Sequence, residues 1–263
     1  MTALQVDLLL DPFGARWPEL RDAARAAADS GFAGLWTYDH LDGTVYGADH
    51  VLECWTVLTA LATTVPEVVV GPLVLNVANR HPGVLAAMAA TLQEISGGRL
   101  LLGLGAGAQP GTPYAREQEA IGRPVVGDAA RRADVERCAT DLRRTWRAPG
   151  FLRPDPEPPL VIAALGPKMA EVAGRVGDGI NARAIHPRLR ELLTIALDAH
   201  RRAGRDDEPF LLTVLSEFDE RWLSAASPAR AELDALGVHR LILSIGAPFD
   251  RARIETAARF LYI

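Results

Sequence analysis

Several features that mark particular protein classes are scarce or missing in this sequence. The 263 residues include only two cysteines, Cys54 and Cys138, and neither has a partner at metal-ligand spacing. This argues against a disulfide framework and predicts reduced, buried thiols. No run of about 18 apolar residues occurs, and no charged start precedes an apolar core, so we predict neither a membrane span nor a signal peptide.

The sequence also lacks a strong charge of one sign. The net charge is -5 and charged residues make up 23% of the chain. No overall positive field is available to attract nucleic acid. We therefore expect a cytoplasmic protein that acts on a small molecule and binds neither nucleic acid nor a membrane.

Motifs of several enzyme classes are absent as well. The histidines form no HxxxH or HxH pair, so no metal site is predicted. The chain contains no serine nucleophile elbow and no Walker A lysine. No close carboxylate pair is visible, because Asp7, Asp39 and Glu53 could approach one another only in the folded protein.

The segment 68–108 predicts a strand, a helix and a second strand. Residues 68–76 and 100–104 are apolar at consecutive positions, which is typical of strands covered on both faces in a parallel sheet. A helix is expected to begin near Pro82 and to end at Ser96-Gly97-Gly98. Polar and glycine residues follow each strand, at the end where parallel α/β proteins bind ligands.

The same alternation runs along the whole chain and predicts an α/β fold, a (β/α)8 TIM barrel, as one domain over residues 1–263. A doubly wound open sheet is the alternative. Residues 108–127 contain three prolines and no clean period, which predicts a lid or binding loop. The predicted strands are 5–10, 33–38, 68–76, 100–104, 160–164, 177–181, 210–215 and 239–245. The predicted helices are 17–30, 52–63, 82–96, 129–146, 166–176, 187–203, 228–236 and 250–261.

Two glycine-containing stretches could contact a ligand. Gly103-Leu-Gly-Ala-Gly107 is a poor dinucleotide fingerprint, because its third glycine comes too early and no helix start follows. It indicates either a strand end that a flat ligand can approach closely or close packing inside a barrel. Gly166-Pro167-Lys168 opens a helix whose free N–H groups could attract phosphate, although proline in a first turn is also common for structural reasons.

Charged and titratable residues follow other strands. His40 could exchange a proton at the barrel mouth, or Asp39 could cap a turn beside an uninvolved histidine. Arg183 is a second candidate cation for a phosphate, or a solvated arginine.

These strand ends and their flanking helices form a recognisable series. The motifs are SGFAGLWTYDH, ECWTVLTALATT, VVVGPLVLNVANRHPGVLAAMAATLQEISGGRLLLGLGAG, PPLVIAALGPKMAEVAGRVGDGIN and LDALGVHRLILSIGAPFDRARIETAARFL. Over nearly the whole chain they resemble the bacterial luciferase-like superfamily of flavin- and deazaflavin-dependent oxidoreductases. Asp39-His40 resembles the branch that uses the deazaflavin coenzyme F420, in which this histidine lies near the reactive C5.

The resemblance implies a set of site residues. His40 would be the proton partner, a cis peptide at Leu73-Val74 would support the ring, and the backbone of 105–107 would pass close to it. The phosphate would lie among the residues after the fifth strand. The implied coenzyme-binding set is Asp39, Leu73, Val74, Asn76, Gly105, Ala106, Gly107, Ala163, Ala164, Gly166, Pro167, Lys168 and Arg183. Trp36, Trp55 and Ala108 are expected in the substrate pocket.

The chain departs from the family pattern in two places. Ala108 stands where some deazaflavin enzymes carry an acid directly after the glycines, so the acid role would fall to His40 or to no side chain. The segment 216–227 is short, which predicts an open site or one completed by a neighbouring subunit.

Three functions are compatible with these residues. The first is an F420-dependent oxidoreductase that transfers a hydride between C5 and a small organic substrate. The second is an FMN-dependent monooxygenase that uses reduced flavin and oxygen, and the third is a coenzyme-binding barrel without redox activity. The resemblance also implies a homodimer and a separate F420 or flavin reductase as a partner.

Overall fold

A computed structural model describes residues 3–261 and contains one sheet of nine parallel strands. Their order in the sheet is β3-β2-β1-β9-β8-β7-β6-β5-β4. Each strand of this order is hydrogen-bonded in parallel to the next, as in the pairing of Leu8 with both Leu35 and Leu243. The strands are β1 (Gln5–Leu10), β2 (Gly34–Thr37), β3 (Val69–Pro72), β4 (Leu75–Asn76), β5 (Leu102–Gly105), β6 (Leu160–Ala163), β7 (Gly179–Arg183), β8 (Leu211–Glu217) and β9 (Arg240–Ile245).

β3 and β4 are two halves of one barrel strand, separated by the cis peptide Leu73-Val74. The barrel closes across this break. The N–H of Val70 donates to the carbonyl of Arg99 at 3.0 Å, and the N–H of Leu101 donates to the carbonyl of Val70 at 3.0 Å. Eight barrel positions result, so the predicted (β/α)8 architecture is confirmed, and the third strand is broken where the cis peptide was expected.

Helices follow the strands and cover the outer face of the barrel. None of those formed within residues 3–261 is long and apolar enough to cross a membrane. The helices are α1 (Trp17–Asp29), α2 (Cys54–Thr64), α3 (Pro82–Ser96), α4 (Ala115–Ala120), α5 (Asp128–Trp146), α6 (Pro167–Val176), α7 (Leu189–Arg202), α8 (Pro228–Ala235), α9 (Arg251–Thr256) and α10 (Ala258–Leu261).

The ends of α3 illustrate how the local sequence sets a boundary. The His81 side chain accepts a hydrogen bond from the N–H of Gly83 at 3.1 Å, and Pro82 occupies the first turn. Gly97 ends the helix with φ of 65°, in the left-handed region that glycine adopts without strain. Both predicted signals therefore operate in the structure.

Two predicted segments differ from the structure. Residues 108–127 were expected to lack regular structure, but they contain the helix α4. The expected final helix 250–261 is divided into α9 and α10 at Ala257. The predicted boundaries of the other helices lie within three residues of the observed ones.

Two apolar layers hold the barrel together. The outer layer lies between the strands and the helices and contains Leu8, Leu35 and Leu243. The inner layer fills the barrel with buried side chains that include Trp36 and Ile242. The strands are apolar at consecutive positions because both of their faces are covered.

A buried carboxylate lies toward the amino-terminal end of this interior. Asp7 is fully buried and accepts two hydrogen bonds from the guanidinium of Arg240, each at 2.7 Å. The indole N–H of Trp36 donates to the same carboxylate at 2.8 Å. These bonds compensate the desolvation of the charge and fix the position of the indole.

Candidate active site

A cavity of about 840 Å³ opens at the carboxyl ends of the strands. Its wall is formed by residues at or just after the ends of β2, β4, β5, β6, β7 and β8, and by the segment that contains α4. This is the face at which barrel enzymes bind their ligands. Fourteen of the predicted site residues line it: Asp39, His40, Leu73, Val74, Asn76, Gly105, Ala106, Gly107, Ala108, Ala163, Gly166, Pro167, Lys168 and Arg183.

Three of the predicted site residues do not line this cavity. Trp36 is completely buried inside the barrel, below the cavity, where Asp7 holds its indole. Trp55 packs its side chain into the outer core from α2. Ala164 is also part of the outer core, because the residue after Ala163 turns to the other face of the sheet.

The apolar wall of the cavity is formed by the break in the third strand. Leu73 and Val74 line the cavity on either side of their cis peptide. The glycines of β5 pack directly behind them, because a Cβ atom on Gly103 would overlap the carbonyl oxygen of Pro72. A Cβ on Gly105 would overlap a methyl group of Val74. Close packing thus explains Gly103 and Gly105, while Gly105 also lines the cavity.

Gly107 and Asn76 form a polar part of the wall. Gly107 has φ of 73°, and a Cβ there would collide with the side-chain oxygen of Asn76. The Asn76 amide donates to Gln118 at 3.1 Å and accepts from the N–H of Ala78 at 2.9 Å. The protein itself therefore fixes the orientation of this amide.

Asp39 lies at the base of an ion-pair cluster. Its side chain is fully buried and receives two bonds from Arg80, at 2.7 and 2.9 Å. The N–H of Asn76 donates to the same carboxylate at 2.9 Å, and Arg80 also contacts Glu53 at 2.6 Å. Asp39 and Glu53, which the sequence did not show to be close, therefore share one arginine. Asp39 also links the end of β2 to β4.

His40 is held on one side by an acid that the sequence did not reveal. Its Nδ1 lies 2.7 Å from Oε1 of Glu117, whose side chain is 3% exposed. The other oxygen of Glu117 accepts from the N–H groups of Leu41 at 2.8 Å and Asp42 at 3.3 Å. A carboxylate from α4 thus supports the imidazole, although Ala108 lacks one.

Aromatic rings surround the same imidazole. The ring centroids of Phe13, Tyr114 and Tyr46 lie 5.1, 5.5 and 6.0 Å from that of His40. The hydroxyl of Tyr114 donates to that of Tyr46 at 2.9 Å, which joins the α4 segment to the loop after β2. Burial raises the pKa of Tyr38, so this phenol remains a neutral donor at ordinary pH.

Sequence reasoning missed these residues because the segment 108–127 gave no periodic signal. Glu117, Gln118 and Tyr114 lie within or directly before α4, a helix of only six residues. The run AREQEA consists of good helix formers, and this was the one available sign of local order. Its contact with His40 joins residues 77 positions apart, which no local pattern encodes.

Cationic side chains also line the cavity. Lys168 and Arg183 are two of them, and neither forms an ion pair with a residue of the described chain. Arg131 and Arg132 also line the cavity, and Arg131 donates to the carbonyl of Gly107 at 2.9 Å. Gly166 is the N-cap of α6, and its carbonyl accepts from the N–H groups of Met169 and Ala170, so the N–H of Lys168 is left without a partner among the described residues. A free N–H at a helix start beside a lysine side chain favours an anion.

Among residues 3–261, no three His, Cys, Asp or Glu side chains are grouped so that they could hold a metal ion. The cavity offers an apolar wall, an imidazole with a buried carboxylate, and cationic side chains.

Comparison with known proteins agrees with this geometry. The family model of luciferase-like monooxygenases matches residues 2–255. The chain is 30% identical over 207 residues to a 5,10-methylenetetrahydromethanopterin reductase of Archaeoglobus fulgidus, which covers 74% of this chain and 58% of the relative. It is 35% identical over 166 residues to an F420-dependent glucose-6-phosphate dehydrogenase of Beutenbergia cavernae, which covers 58% of this chain and 48% of the relative.

The fold has solved counterparts. An F420-dependent secondary alcohol dehydrogenase, determined in complex with an F420-acetone adduct, superposes with a TM-score of 0.83 over 98% of both chains at 17% identity. The sequence matches, in contrast, span only about half the length of the two curated relatives. The match over residues 2–255 shows that the chain belongs to the family of luciferase-like monooxygenases.

Proposed function

We propose that the protein is a coenzyme F420-dependent oxidoreductase that transfers a hydride between the deazaflavin and a small organic substrate. The observation that carries this proposal is the presence within one cavity of an apolar wall, an imidazole and cationic side chains. The family relatives whose names include F420 support the same assignment.

The cavity residues fit a coenzyme with a flat ring and an anionic chain. Leu73 and Val74 would lie behind the ring, and the backbone of Gly105 lines the same cavity. Lys168 would hold the phosphate with its side chain and its own N–H in the first turn of α6. Arg183 adds positive charge to the same cavity. The volume of about 840 Å³ lies within the range of cofactor sites.

The chain's own contribution to the reaction is binding, orientation and proton transfer. When bound, the deazaflavin supplies or accepts the hydride at C5. In the reducing direction, a carbonyl carbon of the substrate would gain that hydride, and its oxygen would gain the Nε2 proton of a doubly protonated His40, which gives an alcohol and the neutral imidazole. In the oxidising direction, His40 takes the hydroxyl proton. Tyr46 and Tyr114 would exclude water from this end of the cavity.

Two partners accompany the proposal. We infer a homodimer, as the family resemblance implies, and a separate reductase that regenerates the reduced coenzyme. Light scattering of the purified protein at micromolar concentration should give the mass of two chains of 28.3 kDa each. A mass of one chain would remove the dimer from the proposal and leave the assigned chemistry unchanged.

An anaerobic turnover assay tests the proposed activity. Reduced F420 should be oxidised in the presence of a panel of aldehydes, ketones and imines, and His40→Ala should abolish turnover while it leaves coenzyme binding within about threefold. Oxygen consumption with reduced FMN, and no reaction with reduced F420, would instead assign a monooxygenase. Coenzyme binding without turnover on any acceptor would indicate a barrel that only binds the coenzyme.

A further inference from the structure

Glu117 is a buried carboxylate that the proposed reaction does not yet use. It lies in α4, lines the cavity, and has a side chain that is 3% exposed. Three groups converge on its two oxygens: His40 Nδ1 on Oε1, and the N–H groups of Leu41 and Asp42 on Oε2. Within residues 3–261 its ion-pair partner is His40. Because burial of a charge is costly, both oxygens of a buried carboxylate need hydrogen-bond donors.

The contact determines which nitrogen of the imidazole carries a proton. A carboxylate can only accept hydrogen bonds, so Nδ1 must be the N–H of the neutral ring. The lone pair is then on Nε2, which forms no hydrogen bond with a described residue. Nε2 is therefore the ring atom left to exchange a proton with a bound molecule.

We propose that Glu117 is a positioning residue that holds His40 in the Nδ1–H tautomer and presents Nε2 to the substrate. A carboxylate that orients a catalytic histidine through its other nitrogen is a general device of proton-transfer sites. This inference rests on the proposed function only for the identity of the group that faces Nε2. The tautomer itself is a property of the protein without coenzyme.

The position of Glu117 depends on the docking of the α4 segment against the barrel. Gln118, the next residue, accepts from Asn76 at 3.1 Å and from the N–H of Ala108 at 3.3 Å. It also donates to the carbonyl of Pro124 at 2.7 Å. Tyr114 bonds to Tyr46 on the other side of His40. The segment that was expected to be an irregular lid therefore delivers the group that orients the histidine.

The test is the variant Glu117→Gln. Glutamine has nearly the same shape, and its oxygen can still accept from Leu41 and Asp42. Its NH2 group would then face Nδ1 as a donor, so His40 should change to the Nε2–H tautomer. Nitrogen-15 NMR of the protein without coenzyme measures the tautomer, and His40→Ala assigns the resonance. Glu119→Gln, an exposed change on the same helix, is the matched control.

We expect Glu117→Gln to exchange the two nitrogen signals of His40. In the oxidising direction, where Nε2 must accept the hydroxyl proton, it should lower kcat by on the order of 10²-fold or more, with KM changed by less than about threefold. Glu117→Asp should keep the Nδ1–H tautomer and recover part of the turnover. An unchanged tautomer in Glu117→Gln, or a changed tautomer with full turnover, would overturn the proposal.

The two proposals fail in different ways. A wild-type protein that turns over no acceptor with reduced F420 would reject the proposed function. The tautomer measured without coenzyme would still show whether Glu117 controls the protonation of His40. If Glu117→Gln only loosens residues 41–42 in hydrogen exchange and leaves the imidazole signals in place, Glu117 supports the loop alone and the positioning role is wrong.

Discussion

Lys168 is the only lysine in the sequence, and it lies in the first turn of α6 in the wall of the cavity. An amine-reactive reagent can therefore report on this site with little interference from other side chains. We expect coenzyme F420 to slow the acylation of Lys168 by at least about tenfold. Removal of a charge-assisted contact is worth about 1.5–3 kcal/mol, so Lys168→Ala should weaken coenzyme binding by about 10- to 100-fold.

The matched variant for this prediction is Lys168→Arg, which keeps the charge and should bind the coenzyme within a few-fold of the wild type. Peptide mass spectrometry after acylation measures the protection. Equal labelling of Lys168 with and without saturating coenzyme would show that the anionic part of the coenzyme binds elsewhere.

Glu53 provides a prediction for the dependence of stability on pH. Burial opposes ionisation, but hydrogen bonds from Thr56, Trp55 and Arg80 outweigh it and lower the pKa of Glu53 below its ordinary value of 4.5. A carboxyl group whose pKa is lower in the folded state than in the unfolded state stabilises the protein at any pH above its unfolded-state pKa. This contribution is lost as the pH falls through its folded-state pKa. Glu53→Gln should therefore reduce the free energy of unfolding at pH 7 and change it much less near pH 3.

Urea unfolding at several pH values checks this prediction. The exposed residue Glu232 on α8 is the control position, and Glu232→Gln should leave the curve of stability against pH unchanged. An equal loss of stability for Glu53→Gln at all pH values would show that the ionised form is not preferentially stabilised in the folded protein.

At the scale of the element, β5 is defined by how closely it approaches the broken third strand. A Cβ on Gly103 would overlap the backbone carbonyl of Pro72, and a backbone atom cannot move aside as a side chain can. Gly103→Ala should therefore reduce the free energy of unfolding by about 3 kcal/mol, in the upper range for overpacking.

The control for β5 is Gly246→Ala, where a Cβ would have no neighbour within 4 Å. Its thermal midpoint should match that of the wild type within a few degrees. A Gly103→Ala protein as stable as Gly246→Ala would show that Gly103 does not pack closely against the carbonyl of Pro72.

The elements also show where the sequence was informative. Strands such as β1 and helices such as α3 were predicted closely, because burial on two faces and the signals at Pro82 and Gly97 are local properties. α4 was missed because it has six residues among prolines and is held by contacts with residues distant in the chain. Trp36 was expected in the pocket but lies in the inner layer, because apolarity at consecutive positions does not tell which side chain faces the cavity.

At the scale of the whole molecule, the two cysteines can report on cooperativity. Cys54 in α2 and Cys138 in α5 are buried. Burial raises the pKa of both thiols, that of Cys138 to about 12. Both should resist a thiol reagent in the native state and become reactive together as the protein unfolds, since one continuous sheet connects their surroundings.

Labelling of each cysteine as a function of urea, resolved by mass spectrometry, measures this behaviour. Coincident midpoints would agree with our proposal that residues 1–263 fold as one domain. If Cys138 reacts at a clearly lower urea concentration than Cys54, the half of the barrel after β5 unfolds separately, and the one-domain proposal is wrong.

The central claim is that this cavity binds a deazaflavin coenzyme for hydride transfer. The most direct measurement is an equilibrium titration of the purified protein with coenzyme F420 and, separately, with FMN, followed by fluorescence and by calorimetry. We predict that each chain binds one F420 with at least tenfold preference over FMN. The control variant Glu119→Gln should keep that preference. Tight binding of FMN without binding of F420 would contradict the account.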